Sequence, residues 1–246
     1  MTRVLLLGGT AEARALAVAL VEAGIDVVSS LAGRVSKPRM PVGDVRVGGF
    51  GGVEGLAAAL AEGGFTHLID ATHPFAMRMT ANAAAAAVAM GVPCLRLARP
   101  GWSGHQDAGA WHWVGDYDEA RVLAEELGAT RPFITTGRQT LKHYASWTDR
   151  DVVLRVVEPL ELAAPPRWTV LLDRGPFDVE RERALMTEHG VDALITKDSG
   201  GAYTEAKLTA ASELGIPVIV VRRPQVPSGM SEVESVADVL PWLLAH

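Results

Sequence analysis

The sequence predicts an α/β protein of two domains with largely parallel sheets and a cleft between them, and three observations carry that prediction. Short continuous apolar runs alternate along the chain with alanine-rich helical stretches, the pattern of strands buried on both faces and joined by helical crossovers. The first run, residues 3–7, leads straight into Gly8-Gly9-Thr10 and an amphipathic helix over residues 11–23. That is the strand, turn and helix of a Rossmann-like nucleotide-binding unit. A glycine-rich break beginning at residue 99 then separates two series of such units, which sets a first domain at residues 1–104 and a second at residues 105–246.

With 48% hydrophobic residues in a chain of 246, a folded core is expected and disorder is not. The net charge of -6 argues against nonspecific nucleic-acid binding, which draws on a basic surface. One cysteine, Cys94, sits in an apolar run, where it reads as a core residue. A single thiol forms no internal disulfide, so a reducing cytoplasm is the expected compartment. Thr2-Arg3 leads into the first strand without the pattern of a signal peptide, and no apolar run approaches the ~20 residues that span a bilayer, so no membrane association is expected.

Gly8 and Gly9 let the backbone turn sharply, and the new helix offers amides and a positive dipole end to a phosphate. Thr10 and Ala13 stand where the G-x-G-x-x-G fingerprint has glycines; alanine substitutes at the last position, and a threonine hydroxyl still has a proton to donate to a phosphate. A glycine turn after a buried strand also closes βα units with no ligand. The second strand, residues 25–31, ends in Ser29-Ser30-Leu31 without the carboxylate that holds the ribose in NAD-binding units, while Arg34, Lys37 and Arg39 follow. Hydroxyls and guanidinium groups suit a 2′-phosphate, so the pattern favours NADPH; a solvated basic loop is the bland alternative.

A short strand at residues 45–47, the glycine-rich run 48–52 around Phe50 and a helix over residues 53–61 lead to a strand at residues 65–71. That strand delivers Asp70-Ala71-Thr72-His73-Pro74-Phe75 to its carboxyl end, where open α/β sheets bind ligands. Thr72 suits a carboxamide or phosphate and His73 a proton or hydrogen-bond donor; a turn capped by Asp70 with Pro74 opening the next helix explains part of the stretch without catalysis. The helix over residues 75–90 carries Arg78 and Asn82 on one face.

After a strand at 92–98 and the break, the second series places strands at residues 111–114, 132–135, 152–157, 170–172, 191–196 and 216–221. Helices are expected over residues 117–127, 178–188 and 232–244, with another between the Ser199-Gly200-Gly201 turn and Gly215. Arg138 follows one strand end, and Lys197-Asp198-Ser199-Gly200-Gly201 follows another as a second anion cradle. Tyr203 and Lys207 match the loose Tyr-x-x-x-Lys pair of short-chain dehydrogenases, but lie too near the carboxyl end for that family.

Taken together, residues 5–13, Asp70 to Ala76, Thr136-Gly137-Arg138, Arg174-Gly175-Pro176-Phe177 and Lys197 to Gly201 resemble, in order, the precorrin-6A reductase family of cobalamin biosynthesis. The resemblance implies an NADPH-dependent reductase of a tetrapyrrole, precorrin-6A, with hydride going to ring carbon 19 and a proton to carbon 18 to give precorrin-6B. It implies a site in which Gly8, Gly9 and Thr10 hold the pyrophosphate, with Glu12 also binding the cofactor, Ser30 and Arg34 hold the 2′-phosphate, and Ala71, Thr72 and His73 line the nicotinamide side. Arg78, Arg138, Arg174, Lys197, Ser199 and Gly200 would bind the carboxylate-rich macrocycle. His73, Lys197 and Asp198 are the candidate catalytic groups, no metal is expected, and transient contact with neighbouring pathway enzymes is a further expectation. A short-chain-type carbonyl reductase and a non-catalytic nucleotide or tetrapyrrole carrier are the alternatives.

Overall fold

The computed structural model describes residues 1–33 and 39–246. Two compact units divide the chain: Met1–Pro100 with Pro224–His246, and Gly101–Arg223. The expected boundary at 104/105 thus lies close to the observed crossing at 100/101, but residues 224–246 belong with the first unit rather than the second.

The first unit contains β1 (Arg3–Leu7), α1 (Ala11–Glu22), β2 (Asp26–Leu31), β3 (Asp44–Val47), α2 (Val53–Glu62), β4 (His67–Asp70), α3 (Met77–Met90) and β5 (Cys94–Leu97). The second contains β6 (His112–Val114), α4 (Tyr117–Glu126), β7 (Pro132–Ile134), a 3-10 helix (Arg138–Tyr144), β8 (Val152–Val156), β9 (Trp168–Leu172), α5 (Val179–Glu188), β10 (Ala193–Lys197), α6 (Ala206–Glu213) and β11 (Val218–Val221). The chain then returns to the first unit as β12 (Ser231–Val233) and α7 (Val239–Ala245).

All strand pairs are parallel, in the orders β12-β5-β4-β1-β2-β3 and β6-β11-β10-β7-β8-β9. Each sheet has the Rossmann order, and its direction reverses between β1 and β4 in one sheet and between β7 and β10 in the other. The outermost place beside β5 is taken by β12 from the far end of the chain, and the place beside β11 by β6, just after the first crossing. Residues 232–244 are therefore not one helix. Ser231–Val233 pairs with Leu95–Leu97 as a strand, and only then does the chain turn into α7.

The apolar run of β1 serves both faces of its sheet. Val4 and Leu6 pack with α1 and α7, while Leu5 and Leu7 pack with α2 and α3, because successive side chains of a strand point to opposite faces. Alanines Ala83, Ala86 and Ala87 let α3 lie close on the sheet. Full burial of each leucine contributes roughly 1.5–3 kcal/mol.

At the amino end of β4, His67 is buried, 2.8 Å from the Thr66 hydroxyl through Nδ1 and edge-on to Trp242 of α7. Burial, and secondarily the charge of His246, hold its pKa below the ordinary 6.5. The unfolded chain therefore takes up this proton more readily, so the stabilisation is complete above pH 6.5 and is lost as pH falls towards the depressed folded value. Thermal unfolding followed from pH 7.5 to 5.5 is expected to show a falling Tm, and His67→Gln to flatten that slope.

Candidate active site

At the first switch point, Gly9 takes φ +114, a backbone that disfavours side chains, and an added Cβ there would meet nothing within 4 Å. The backbone is thus open to close approach by a ligand. Gly8 instead ties the turn down: its amide donates to the Ser30 carbonyl at 2.9 Å and joins the turn to the tip of β2. Thr10 caps α1 by accepting the Ala13 amide at 3.0 Å and donates its hydroxyl proton to the Ala71 carbonyl at 2.8 Å. This corrects the expectation of a Thr10 hydroxyl donated to phosphate, since its single proton is already used. The helix leaves the amides of the first turn of α1 without carbonyl partners, and of these the Ala13 amide is taken by Thr10.

The Ala71 amide also donates to Leu7 at 2.9 Å, so the glycine turn and the 71–73 segment form one tied edge. Beneath it Asp70, fully buried, accepts the Thr72 amide (3.0 Å) and hydroxyl (2.6 Å) on Oδ1, and the Thr80 hydroxyl (2.7 Å) on Oδ2. Arg96 of β5 pairs with Oδ2 and lies 3.4 Å from Glu232 of β12. With the Thr72 hydroxyl proton bound to Asp70, that oxygen meets a ligand as an acceptor. His73 Nδ1 accepts the Phe75 amide at 3.2 Å, which fixes the Nε2–H tautomer while that bond stands. Pro74 lies in the turn, and α3 begins at Met77 with Arg78 exposed in its first turn.

Two basic residues that sequence reasoning missed adjoin this edge. Arg46 of β3 donates to the Ser30 hydroxyl at 3.1 Å and to the Gly48 carbonyl at 3.2 Å, with its guanidinium 3.9 Å above the Phe50 ring. Arg99, beyond β5, pairs at 2.6 Å with Glu12 in the first turn of α1. The absence of an acid at the β2 tip is visible in the sequence; the base that answers it comes from a neighbouring strand. Arg34 and Lys37 lie outside the described residues. The open Gly9 backbone, the α1 terminus and the Ser30–Arg46 tip fit a phosphorylated dinucleotide.

The second switch point lies at the ends of β7 and β10. Gly137 takes φ +93 after β7, and the Thr136 and Thr140 hydroxyls bond at 2.7 Å beneath it. The helix that follows is 3-10, with Arg138 as its first residue and 3.3 Å from the Pro159 carbonyl. Arg174, beyond β9, lies 3.8 Å from Glu158. The Arg174–Phe177 turn packs against the turn after β10, since a Cβ on Gly175 would meet the Tyr203 carbonyl at 2.9 Å. Burial pushes the Lys197 ammonium, the last residue of β10, down to about 8. Ser199 and Gly200 follow, both buried.

Asp198 departs from expectation. Its side chain is 8% exposed; Oδ1 accepts the Trp102 amide at 2.8 Å, and Oδ2 lies 3.4 Å from Arg223 Nε. It is engaged within the second unit rather than presented to a ligand. Lys207 is also buried, bonding the Thr204 carbonyl and lying 4.7 Å from the Trp102 ring centre, whereas Tyr203 is half-exposed on a 3-10 turn. A catalytic Tyr203–Lys207 pair on one helix face is not formed. Burial, and secondarily the charge of Asp70, push the Cys94 thiol up to about 12, which makes it inert. Among the described residues no group of His, Cys, Asp and Glu is arranged to hold a metal ion, and no helix is long and apolar enough to cross a membrane.

The family model of the precorrin-6x reductases CbiJ/CobK matches residues 3–244. The chain belongs to this family. Among relatives of the reductase family, the precorrin-6A reductase of Rhodococcus erythropolis is 50% identical over 244 residues, covering 99% of this chain and 98% of its own. That of Mycobacterium tuberculosis is 49% identical over 245 residues, again with 99% and 98% coverage. The solved structure of CobK precorrin-6A reductase superposes with a TM-score of 0.90 at 39% identity, covering 100% of this chain and 97% of its own. Membership of this reductase family makes the chain an oxidoreductase and does not favour the short-chain carbonyl reductase reading.

Proposed function

We propose that this reductase uses NADPH to reduce the carbon 18–carbon 19 double bond of precorrin-6A, giving precorrin-6B. The observation that carries the reading is the first switch point: an open glycine turn tied to Ala71, with Ser30 and Arg46 where an NAD-binding unit has a carboxylate. The α1 amides bind the pyrophosphate, with Glu12 and Arg99 flanking them as a pair. Ser30 and Arg46 hold the 2′-phosphate. Thr72 and His73 orient the nicotinamide carboxamide, Thr72 through its acceptor oxygen and His73 through Nε2–H.

The bound cofactor supplies the hydride for carbon 19. The chain supplies orientation and a proton for carbon 18. Lys197 is the proton donor: the Asp198 carboxylate is engaged elsewhere and His73 Nδ1 is taken up by the Phe75 amide, whereas burial brings the Lys197 ammonium down to about 8, charged at neutral pH and close to releasing its proton. Arg138, Arg174 and exposed Arg78 suit the acetate and propionate groups of the macrocycle, whereas the Ser199 amide is already donated to the Lys197 carbonyl at 2.6 Å. A single inert thiol supports a cytoplasmic setting.

The cofactor assignment is tested by Arg46→Ala. Loss of a charge-assisted contact to the 2′-phosphate, about 1.5–3 kcal/mol, raises the KM for NADPH about 10- to 100-fold and leaves that for NADH nearly unchanged. Equal effects on both cofactors would remove the 2′-phosphate from this tip. Single-turnover reduction of metal-free and of cobalt-bound precorrin-6A, run in parallel, identifies the substrate.

A further inference from the structure

The chain passes between its two compact units at Pro100–Gly101 and at Arg223–Pro224. Inside the second unit both passages meet one residue, Asp198, which follows the end of β10. On the entry side, Asp198 Oδ1 accepts the Trp102 amide at 2.8 Å, and a Cβ on Gly101 would meet Oδ2 at 2.6 Å. A side chain at 101 would therefore push the Asp198 carboxylate aside, although the φ of Gly101 is ordinary. On the exit side, Arg223 Nε donates to the Asp198 carbonyl at 3.0 Å and lies 3.4 Å from Oδ2. The Asp198 amide donates to Val221 at 2.9 Å, two residues before Arg223. The Lys207 side-chain nitrogen also lies against Trp102, 4.7 Å from its ring centre.

We infer that Asp198 is a positioning residue of the reaction: its carboxylate and main chain fasten both chain crossings to the strand end that carries Lys197, and so hold the Lys197–Gly200 turn in place. It acts as a hydrogen-bond acceptor, through its side chain for Trp102 and its main-chain carbonyl for Arg223, not as a proton donor. The inference rests on the assignment of that turn to the tetrapyrrole. The close approach on the entry side needs a short side chain at 198 and no side chain at 101. A longer acid at 198 does not fit where Gly101 already abuts the carboxylate, whereas the isosteric amide keeps an acceptor for Trp102.

Opposite orders of activity therefore separate a clamp from a proton donor. In the full-length protein, with NADPH and precorrin-6A, Asp198→Asn is expected to keep kcat within about tenfold of the unchanged chain, because the Trp102 bond survives. Asp198→Glu retains a carboxyl group but displaces it, and Gly101→Ala leaves Asp198 chemically intact while forcing it aside; each is expected to lose about 10²-fold in kcat/KM for the tetrapyrrole. NADPH affinity, read by fluorescence titration without turnover, stays within about twofold in all of them, as the contacts lie in the other unit. Conversely, Asp198→Glu as active as Asp198→Asn, or Gly101→Ala as active as the unchanged chain, overturns the inference.

Amide hydrogen exchange at Trp102 needs neither cofactor nor substrate. It is expected to be faster in Asp198→Glu and Gly101→Ala than in Asp198→Asn, and equal exchange in all three overturns the clamp. Failure of the unchanged chain to oxidise NADPH with precorrin-6A would instead remove the proposed reaction, and the exchange result would still decide the clamp.

Discussion

Lys197→Met is expected to lower kcat by about 10²- to 10⁴-fold, the usual contribution of a positioned general acid, with NADPH affinity retained. Burial holds the Lys197 ammonium down at about 8, so the donor is charged below that pH and is lost as pH rises through it. The kcat profile of the unchanged protein should therefore fall on the alkaline side near pH 8, and that limb should be absent from whatever activity Lys197→Met retains. Lys197→Arg separates two roles: arginine keeps the positive charge that binds a carboxylate, but holds its proton far above neutrality. Substrate KM recovers in that variant and kcat does not. Recovery of kcat by arginine would reassign Lys197 to electrostatic binding of the macrocycle.

Asp70→Asn is expected to cost about 3–5 kcal/mol of stability, because it leaves the buried Arg96 guanidinium facing an amide in place of its closest carboxylate. Glu232, 3.4 Å from Arg96 Nε, is partly solvated and offsets little of this. The same substitution loosens the turn that Asp70 Oδ1 holds through the Thr72 amide and hydroxyl, so NADPH affinity falls together with stability. Denaturant unfolding reads the first effect and fluorescence titration the second. A double replacement, Asp70→Leu with Arg96→Met, removes both charges and should regain much of the stability without regaining cofactor affinity. A loss under about 1 kcal/mol in Asp70→Asn would show that water or Glu232 satisfies Arg96.

These two residues also mark how far the site is legible in the sequence. Lys197 stands at the end of an apolar run in a Lys-Asp-Ser-Gly-Gly turn, and strand ends are where open parallel sheets gather their chemistry, so its place can be read directly. Asp70 is equally visible as a strand end, but its partner is not. Arg96 lies in the middle of the apolar run of β5, 26 positions away, and becomes its neighbour only because β4 and β5 pair in register, Asp70 beside Arg96. Arg46 follows the same rule, reaching Ser30 because β2 and β3 place those two residues side by side. Asp198 differs from its expected role for a related reason: the turn announces its position, but not that Trp102 and Arg223 consume its oxygens.

The sequence by itself determined the α/β class, the two series of strand and helix, the glycine turn and the polar strand ends, because local periodicity and turn chemistry act over a few residues. It also carried the family. Only the tertiary structure decided that Ser231–Val233 is a strand of the first unit. Three residues with two polar side chains have no intrinsic reason to extend, and the free edge of β5 supplies the hydrogen bonds that make them do so. The tertiary structure likewise decided which hydroxyls and carboxylates remain for a ligand. That depends on which long-range partners spend them, as Ala71 spends the Thr10 proton and Trp102 an oxygen of Asp198.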